Sequence, residues 1–318
     1  MRMINKYILT ITLLAISSLA MSQQELMFTH YMHNKSLVNA GATGSDNAIS
    51  FMAFHRSQWA TFQGAPTTQN LSFQMPLKTQ NLGLGLDIFN DQLGPVKNLG
   101  INTNYAYHLK INDEAKLGLG LRLGINHYSN NLSRLKIVES NDVAFNEDIE
   151  GKISPNIGFG AFYYDKHYFL GISVPKFIRN GYDIKDSLGT RHTISRDEYH
   201  YYFMGGATID LSKNGEYQLQ PFLLIRMAEG APVQADIASN FIYRKQLSTG
   251  LFYRTGDAIG LLLGYTFKDA LTLGYSYDFS FRDATYRYNG GSHEVMLKYS
   301  IGYSRFYNRY QWIRARTF

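Results

Sequence analysis

The 318-residue sequence has no cysteine, only 7 proline and only 18% charged residues. Without cysteine, thiol catalysis, disulfide staples and zinc–thiolate sites are excluded, and the chain can cross an oxidising compartment without mispairing. Beyond its first residues, no stretch supplies the roughly 20 consecutive apolar residues of a membrane helix. The formal net charge is +6, a mild excess that calls for no nucleic-acid partner. What the chain does have is 28 Gly, 24 Tyr and 20 Phe, at a mean hydropathy of -0.24. High Tyr and Gly with alternating apolar residues point to many β-strands rather than a helical bundle. The length fits two ordinary domains or one large barrel.

Residues 1–22 read as a secretory signal. Arg2 and Lys6 give the positive start, Tyr7–Leu19 the apolar centre, and Ala20-Met21-Ser22 a small-x-small cleavage site. The apolar run is too short to serve as a membrane anchor, so the mature chain is predicted to begin near Gln23. An exported chain with no later membrane helix is either a soluble β-protein or an outer-membrane barrel. Residues 23–47 show no clean period and read as an irregular arm or plug, with Gly41, Gly44 and Asn47 favouring turns. Residues 48–303 read as the barrel, and 304–318 as a basic, aromatic tail.

The strands alternate almost without error. Leu117, Leu119, Leu121, Leu123 and Ile125 oppose Gly118, Gly120, Arg122, Gly124 and Asn126. In 271–280, Leu271, Leu273, Tyr275, Tyr277 and Phe279 oppose Thr272, Gly274, Ser276, Asp278 and Ser280. Such segments are about ten residues long, near the ~9–11 that cross a bilayer at a tilt. Their polar face is small and weakly charged, which suits a barrel lumen, whereas a soluble sandwich carries many charges there. Tyr105, Tyr107, Tyr163, Tyr164, Tyr275 and Tyr277 are candidates for the interfacial girdles.

About fourteen strand cores can be marked: 48–55, 67–75, 81–89, 98–109, 116–127, 155–164, 168–174, 198–210, 216–227, 232–243, 247–254, 258–266, 270–280 and 293–303. Every long connection is odd-numbered: 56–66, 128–154, 175–197 and 281–292. The even-numbered ones are all short. Outer-membrane barrels pair short periplasmic turns with longer outside loops, so this parity predicts a transmembrane antiparallel all-β barrel with both termini in the periplasm.

Candidate chemistry is sparse. His30 and His33 lie three apart without a third ligand of suitable spacing, and His192 and His200 form no motif. The acidic run 139–150 lacks calcium-loop spacing and reads as a solvated loop. No G-x-S-x-G or related motif suggests a nucleophile, so neither a catalytic site, a metal nor a cofactor is predicted. In the tail, Arg305, Arg309, Arg314 and Arg316 alternate with aromatics, as in interface hot spots or at anionic headgroups. The densest stretch is Arg56-Ser57-Gln58-Trp59 followed by Gly64-Ala65-Pro66-Thr67, which carries more chemistry than a hairpin turn requires. It is either a structural connection or a surface for a partner with Arg56 and Trp59 as anchors. Pairing of the last strand with the first would bring Glu294 beside Arg56 as a charge pair.

Several stretches resemble the PorP/SprF family of type IX secretion system membrane proteins of Bacteroidetes. They are F-T-H-Y-M-H-N at 28–34, L-V-N-A-G-A-T-G-S at 37–45, R-S-Q-W at 56–59, G-A-P-T-T-Q at 64–69, N-D-Q-L-G-P at 90–95, Y-A-Y-H at 105–108 and G-S-H-E-V-M-L at 291–297. The second departs from the family's usual pattern in lacking a proline after Asn39. The resemblance implies a non-enzymatic outer-membrane barrel of a Gram-negative bacterium, set in outer-membrane lipid. It implies as partners a secreted protein with a type B C-terminal domain, such as a gliding adhesin, and translocon or periplasmic motor-linked subunits. The alternative is a passive diffusion porin, in which the arm 23–47 would act as a plug.

Overall fold

The structure, a computed structural model, describes residues 27–77, 81–131, 149–185, 191–281 and 290–302. The predicted signal segment, the tail 304–318, residues 139–148 of the acidic run 139–150 and most of 281–292 lie outside the described residues. Alternation of period two does what it must: the chain folds into long antiparallel strands, each with one apolar and one small or polar face. In chain order these are β1 (Ala48–Ser57), β2 (Thr67–Leu77), β3 (Leu82–Leu93), β4 (Val96–Lys110), β5 (Lys116–Asn130), β6 (Ile149–Tyr164), β7 (Tyr168–Val174), β8 (Gly181–Lys185), β9 (Arg191–Arg196), β10 (His200–Ala207), β11 (Ile209–Asp210), β12 (Tyr217–Ala228), β13 (Gln234–Tyr243), β14 (Leu247–Arg254), β15 (Ala258–Phe267), β16 (Leu271–Ser280) and β17 (Ser292–Gly302).

Each wall strand pairs with its sequence neighbours, and β1 pairs with β17, from Ala48↔Gly302 to Ser57↔His293. With β10 and β11 counted as one interrupted strand, the wall is a closed barrel of 14 strands. Closure leaves no free edge, the condition for a sheet to sit in lipid. The outer face is a continuous apolar belt, with Leu251 68%, Leu71 60% and Ile125 57% exposed. An apolar surface of that extent is foreign to a monomer in water and is the lipid-facing band of a membrane barrel.

The connections divide by end. The strand ends at one side of the barrel are joined through 78–81, 111–115, 165–167, 211–216, 244–246 and 268–270, and those at the other through the longer 58–66, 131–148, 175–199 and 281–291 and three shorter links. Four expectations needed correction. The predicted strand 198–210 breaks at Thr208, whose N–H leaves the ladder for the His167 carbonyl at 2.6 Å. The predicted loop 175–197 contains a separate two-stranded sheet, β8–β9. β5 and β6 run farther than expected, to Asn130 and from Ile149, which shortens the 128–154 loop. Tyr164 is no girdle residue, because its hydroxyl lies 3.1 Å from His108 Nδ1 inside the barrel.

The core of this molecule is its lumen. Inward-facing Phe162, Met204, Phe222, Leu224, Phe252 and Leu262 form one apolar cluster around Tyr31 of the arm. Met52, Phe54 and Met296 form a second around Phe28. Both clusters are organised on residues that precede the first strand.

Candidate functional site

Residues 27–47 lie inside the barrel. They have no periodic pattern, and they form three short 3-10 turns, Tyr31–His33, Lys35–Leu37 and Ala40–Ala42, whose remaining main-chain groups need partners from outside the segment. The inner wall supplies them.

Near the loop-bearing end, Glu294 of β17 accepts the Thr29 N–H at 2.7 Å on Oε2 and the His30 N–H at 2.8 Å on Oε1. His30 Nδ1 is 2.9 Å from the same Oε1. Arg56 of β1 reaches across the seam: Nη2 is 2.6 Å from Asp278 Oδ2, Nη1 is 3.4 Å from Glu294 Oε2, and Nη1 donates to Thr29 Oγ1 at 2.8 Å. The Thr29 hydroxyl donates in turn to Asp278 Oδ2 at 2.9 Å. Arg56, Asp278 and Glu294 are essentially excluded from solvent. One cation and two carboxylates are tolerable there because arm N–H groups supply the remaining positive character.

Farther along, wall side chains read arm carbonyls. Arg122 donates from Nη1 to Leu37 O at 3.0 Å and from Nη2 to Ser36 O, with its Nε held by Asn104 Oδ1 at 2.8 Å. Ser173 Oγ donates to Val38 O at 2.8 Å, Lys298 Nζ to His33 O at 3.2 Å, and His108 Nε2 lies 2.9 Å from Thr43 O. Asn39 does the reverse, donating from Nδ2 to the wall carbonyls of Ala161 and Ile172 at 3.0 and 3.1 Å.

Residues 39–43 approach the wall backbone to backbone. A Cβ on Gly118 or Gly120 would overlap the main chain of Gly41 and Ala40; one on Gly83 would overlap Thr43. Glycine is required there for close approach, and the small lumen face seen in the sequence is occupied space. A second buried ion cluster holds the opposite wall. Asp236 of β13 accepts Arg226 Nη2 at 2.6 Å on both oxygens and Arg254 Nε at 3.0 Å. Tyr31 packs edge-on to Phe222 beside it, with ring centroids 4.8 Å apart.

The sequence-predicted site separates into an inside and an outside part. Arg56 is 2% exposed, and Gln58 and Pro66 are buried as well. Arg56 therefore faces the lumen acids and the arm and cannot anchor an external partner. Glu294 is its register partner across the β1–β17 seam, and the pair is three-cornered because Asp278 makes the shorter contact. Ser57, Trp59, Ala65 and Thr67 are half-buried, while 60–64 are exposed, with Phe62 46% exposed. Trp59 takes a left-handed backbone (φ 47°), and its N–H points to Ser292 Oγ at 3.3 Å. Ala60 N–H donates to Gly291 O at 3.0 Å and Gly94 N–H to Gly64 O at 2.9 Å, so this loop is stitched to both neighbouring connections. Sequence reasoning missed Thr29, Asp278, Arg122 and the glycine groove. Asp278, Arg122 and the glycines showed only as small or polar residues at inward strand positions, and Thr29 only as part of an aperiodic stretch.

The site binds polypeptide backbone. Consistent with that arrangement, the family model described as type IX secretion system membrane protein PorP/SprF matches residues 20–299. The chain belongs to this family. A search of curated proteins found no match. Solved structures similar to this PorP/SprF chain include the CymD monoaromatic hydrocarbon channel, at 10% identity over 88% of this chain and 94% of that one, with a TM-score of 0.48. The P. putida toluene transporter TodX matches at 9% identity over 84% and 93%, with a TM-score of 0.48. Outer membrane protein Omp33 of Acinetobacter baumannii matches at 9% identity over 80% and 98%, with a TM-score of 0.45.

Proposed function

We propose that this PorP/SprF barrel is a non-enzymatic outer-membrane component of the type IX secretion system that holds an exported protein at the surface of a Bacteroidetes cell. The loop-bearing end faces outward and the short turns face the periplasm, following the length asymmetry of outer-membrane barrels. The partner is the type B C-terminal domain of a secreted adhesin, bound by the outer loops, with exposed Phe62 in the first of them. Translocon or motor-linked subunits meet the periplasmic side.

The observation that carries this reading is the filled lumen. A barrel of this strand number can leave a channel, but here Tyr31 and Phe28 centre two apolar clusters and residues 39–43 lie against the wall. A passive porin has no use for an interior saturated with contacts to its own chain. What is left for function is the outer rim and the loops. Co-purification in mild detergent tests the reading: a secreted protein with a type B domain is expected with the barrel, and deletion of the gene is expected to reduce its surface display. A barrel that retains no such protein, in cells whose secretion and gliding survive its deletion, overturns it. Planar-bilayer recording addresses the porin alternative, for which a large steady current from the intact protein is the required result.

A further inference from the structure

A cavity of about 180 Å³ lies between the arm and the wall at the end of the barrel that carries the short turns. It sits where the wall is interrupted. β10 and β12 pair as far as Gly206↔Phe222, and the ladder resumes at Ile209↔Leu219 between β11 and β12. In the gap, Thr208 N–H donates to the His167 carbonyl of the neighbouring turn, and Pro221 has no N–H to offer. The floor is apolar. Phe169 meets Phe162 and Phe222 ring to ring, with centroids 5.4 and 5.5 Å apart, and a Cβ on Gly206 would come within 2.6 Å of its ring. The arm closes the other side with Met32, Lys35, Ser45 and Asp46.

The charged groups at the rim are unequally engaged. Asp46 is paired with Lys35 at 3.4 Å and with Lys298 at 3.5 Å. Asp165 Oδ1 accepts the N–H groups of His167 and Tyr168 at 2.6 and 2.8 Å. Lys166 is exposed and has no acidic partner among the described residues. The rim therefore offers a free cation above an apolar floor. The volume falls below the ~300–1,000 Å³ of small-molecule sites and suits one large side chain, as in the central pocket of a protein interface.

We propose that this cavity is a docking pocket for a periplasmic protein, which inserts one large apolar side chain flanked by a carboxylate that meets Lys166. Because the arm forms one side of it, the pocket is complete only while the arm is seated. A partner bound there consequently holds the arm in place by mass action, and the periplasmic side of the barrel responds to the state of the lumen. The periplasmic address rests on the loops-outward orientation proposed above; the pocket itself does not.

The experiment keeps these parts separate. The natural chain has no cysteine, so Ser45→Cys puts a single thiol at the pocket of the full-length protein, purified in detergent. The probe is N-acetyl-aspartyl-phenylalaninamide. Expected is a saturable slowing of the reaction of position 45 with a soluble maleimide, with more peptide needed when alanine replaces its phenylalanine or asparagine its aspartate. In the Lys166→Glu background, N-acetyl-lysyl-phenylalaninamide should become the better protector. No protection, or equal protection by the alanine peptide, overturns the pocket; an unchanged order in Lys166→Glu overturns the role of Lys166. At a probe concentration ten times its Kd, the thiol of Ser36→Cys in the arm should react about tenfold more slowly. An unchanged rate there, with position 45 protected, overturns the dependence on the arm. On whole cells, Lys166→Cys should react with a membrane-impermeant maleimide only after the outer membrane is permeabilised. Labelling of intact cells overturns the orientation and the periplasmic partner, and leaves the peptide results to stand.

Discussion

Glutamine in place of Glu294 keeps the shape of the side chain and removes the feature that seats the arm. Oε2 faces the Thr29 N–H and Arg56; Oε1 faces the His30 N–H and ring. Whichever side the new NH2 takes, it meets donors head-on. One charge-assisted hydrogen bond is lost, at ~1.5–3 kcal/mol. Arg56 is left buried with Asp278 alone, and removing one partner of such a group costs ~3–5 kcal/mol. The two losses share one carboxylate and do not add, so ~3 kcal/mol is the working figure, or about a hundredfold more undocked arm. Ser36 is 1% exposed and lies midway along the arm, so a thiol there reports detachment rather than fraying of the first residues. Ser36→Cys is expected to react about a hundredfold faster in the Glu294→Gln background under opening-limited conditions. A thiol at Leu251, 68% exposed on the outer wall, should react equally in both. An unchanged rate at position 36, with the barrel intact, would refute the assignment of Glu294 as the arm's anchor.

Gly120→Ala places a methyl against the main chain of Gly41 and Ala40, which cannot swing aside; at ~1–3 kcal/mol of overpacking it should raise single-channel openings, whereas Gly302→Ala, with open space around it, should not. Asp236→Asn removes the carboxylate that Arg226 and Arg254 share, leaving Arg254 its 3.5 Å contact with Asp257 Oδ2, and should cost ~3–5 kcal/mol, read as a lower temperature for loss of the compact electrophoretic form; an unshifted temperature would mean the cluster contributes nothing. Asp165 lies in a turn outside the spanning strands, where slight burial opposes ionisation but the N–H groups of Tyr168 and His167 outweigh it and hold the carboxyl below its ordinary value. Its stabilisation is present above the unfolded value of 3.8 and fades as pH falls through the lower folded value, so amide exchange at His167 and Tyr168, corrected for intrinsic rate, should accelerate only in that acid window.

The wall was legible because each strand meets two solvents. Leu119, Leu121, Leu123 and Ile125 face lipid and Gly118, Gly120 and Arg122 face inward, and a period-two pattern reports that difference locally. The connection lengths then gave the ends, and an even strand count gave the Arg56–Glu294 register. The interior was not legible, because a small inward residue reads the same whether it borders water or a docked backbone. Arg122 in a run of leucine and glycine says only that the inner face holds a charge; that it grips the Ser36 and Leu37 carbonyls depends on a segment some 85 residues away. The arm itself is irregular, since it bonds to itself only in single short turns and hands other main-chain groups to the wall, and irregular chain carries no period.

The seam between β1 and β17 has a consequence for assembly. Glu294 and Asp278 arrive on the last strands of the barrel, yet they bind Thr29 and His30, separated from them by up to 265 residues. Contacts of such sequence separation form late. Arg56, on the first strand, stays an uncompensated cation until those carboxylates come in. The first strand and the arm thus wait together for the last hairpin, and closing the ring and locking the arm become a single step. A truncated chain lacking β16 and β17 would lose both at once, leaving an open sheet with a buried charge and no partner for it.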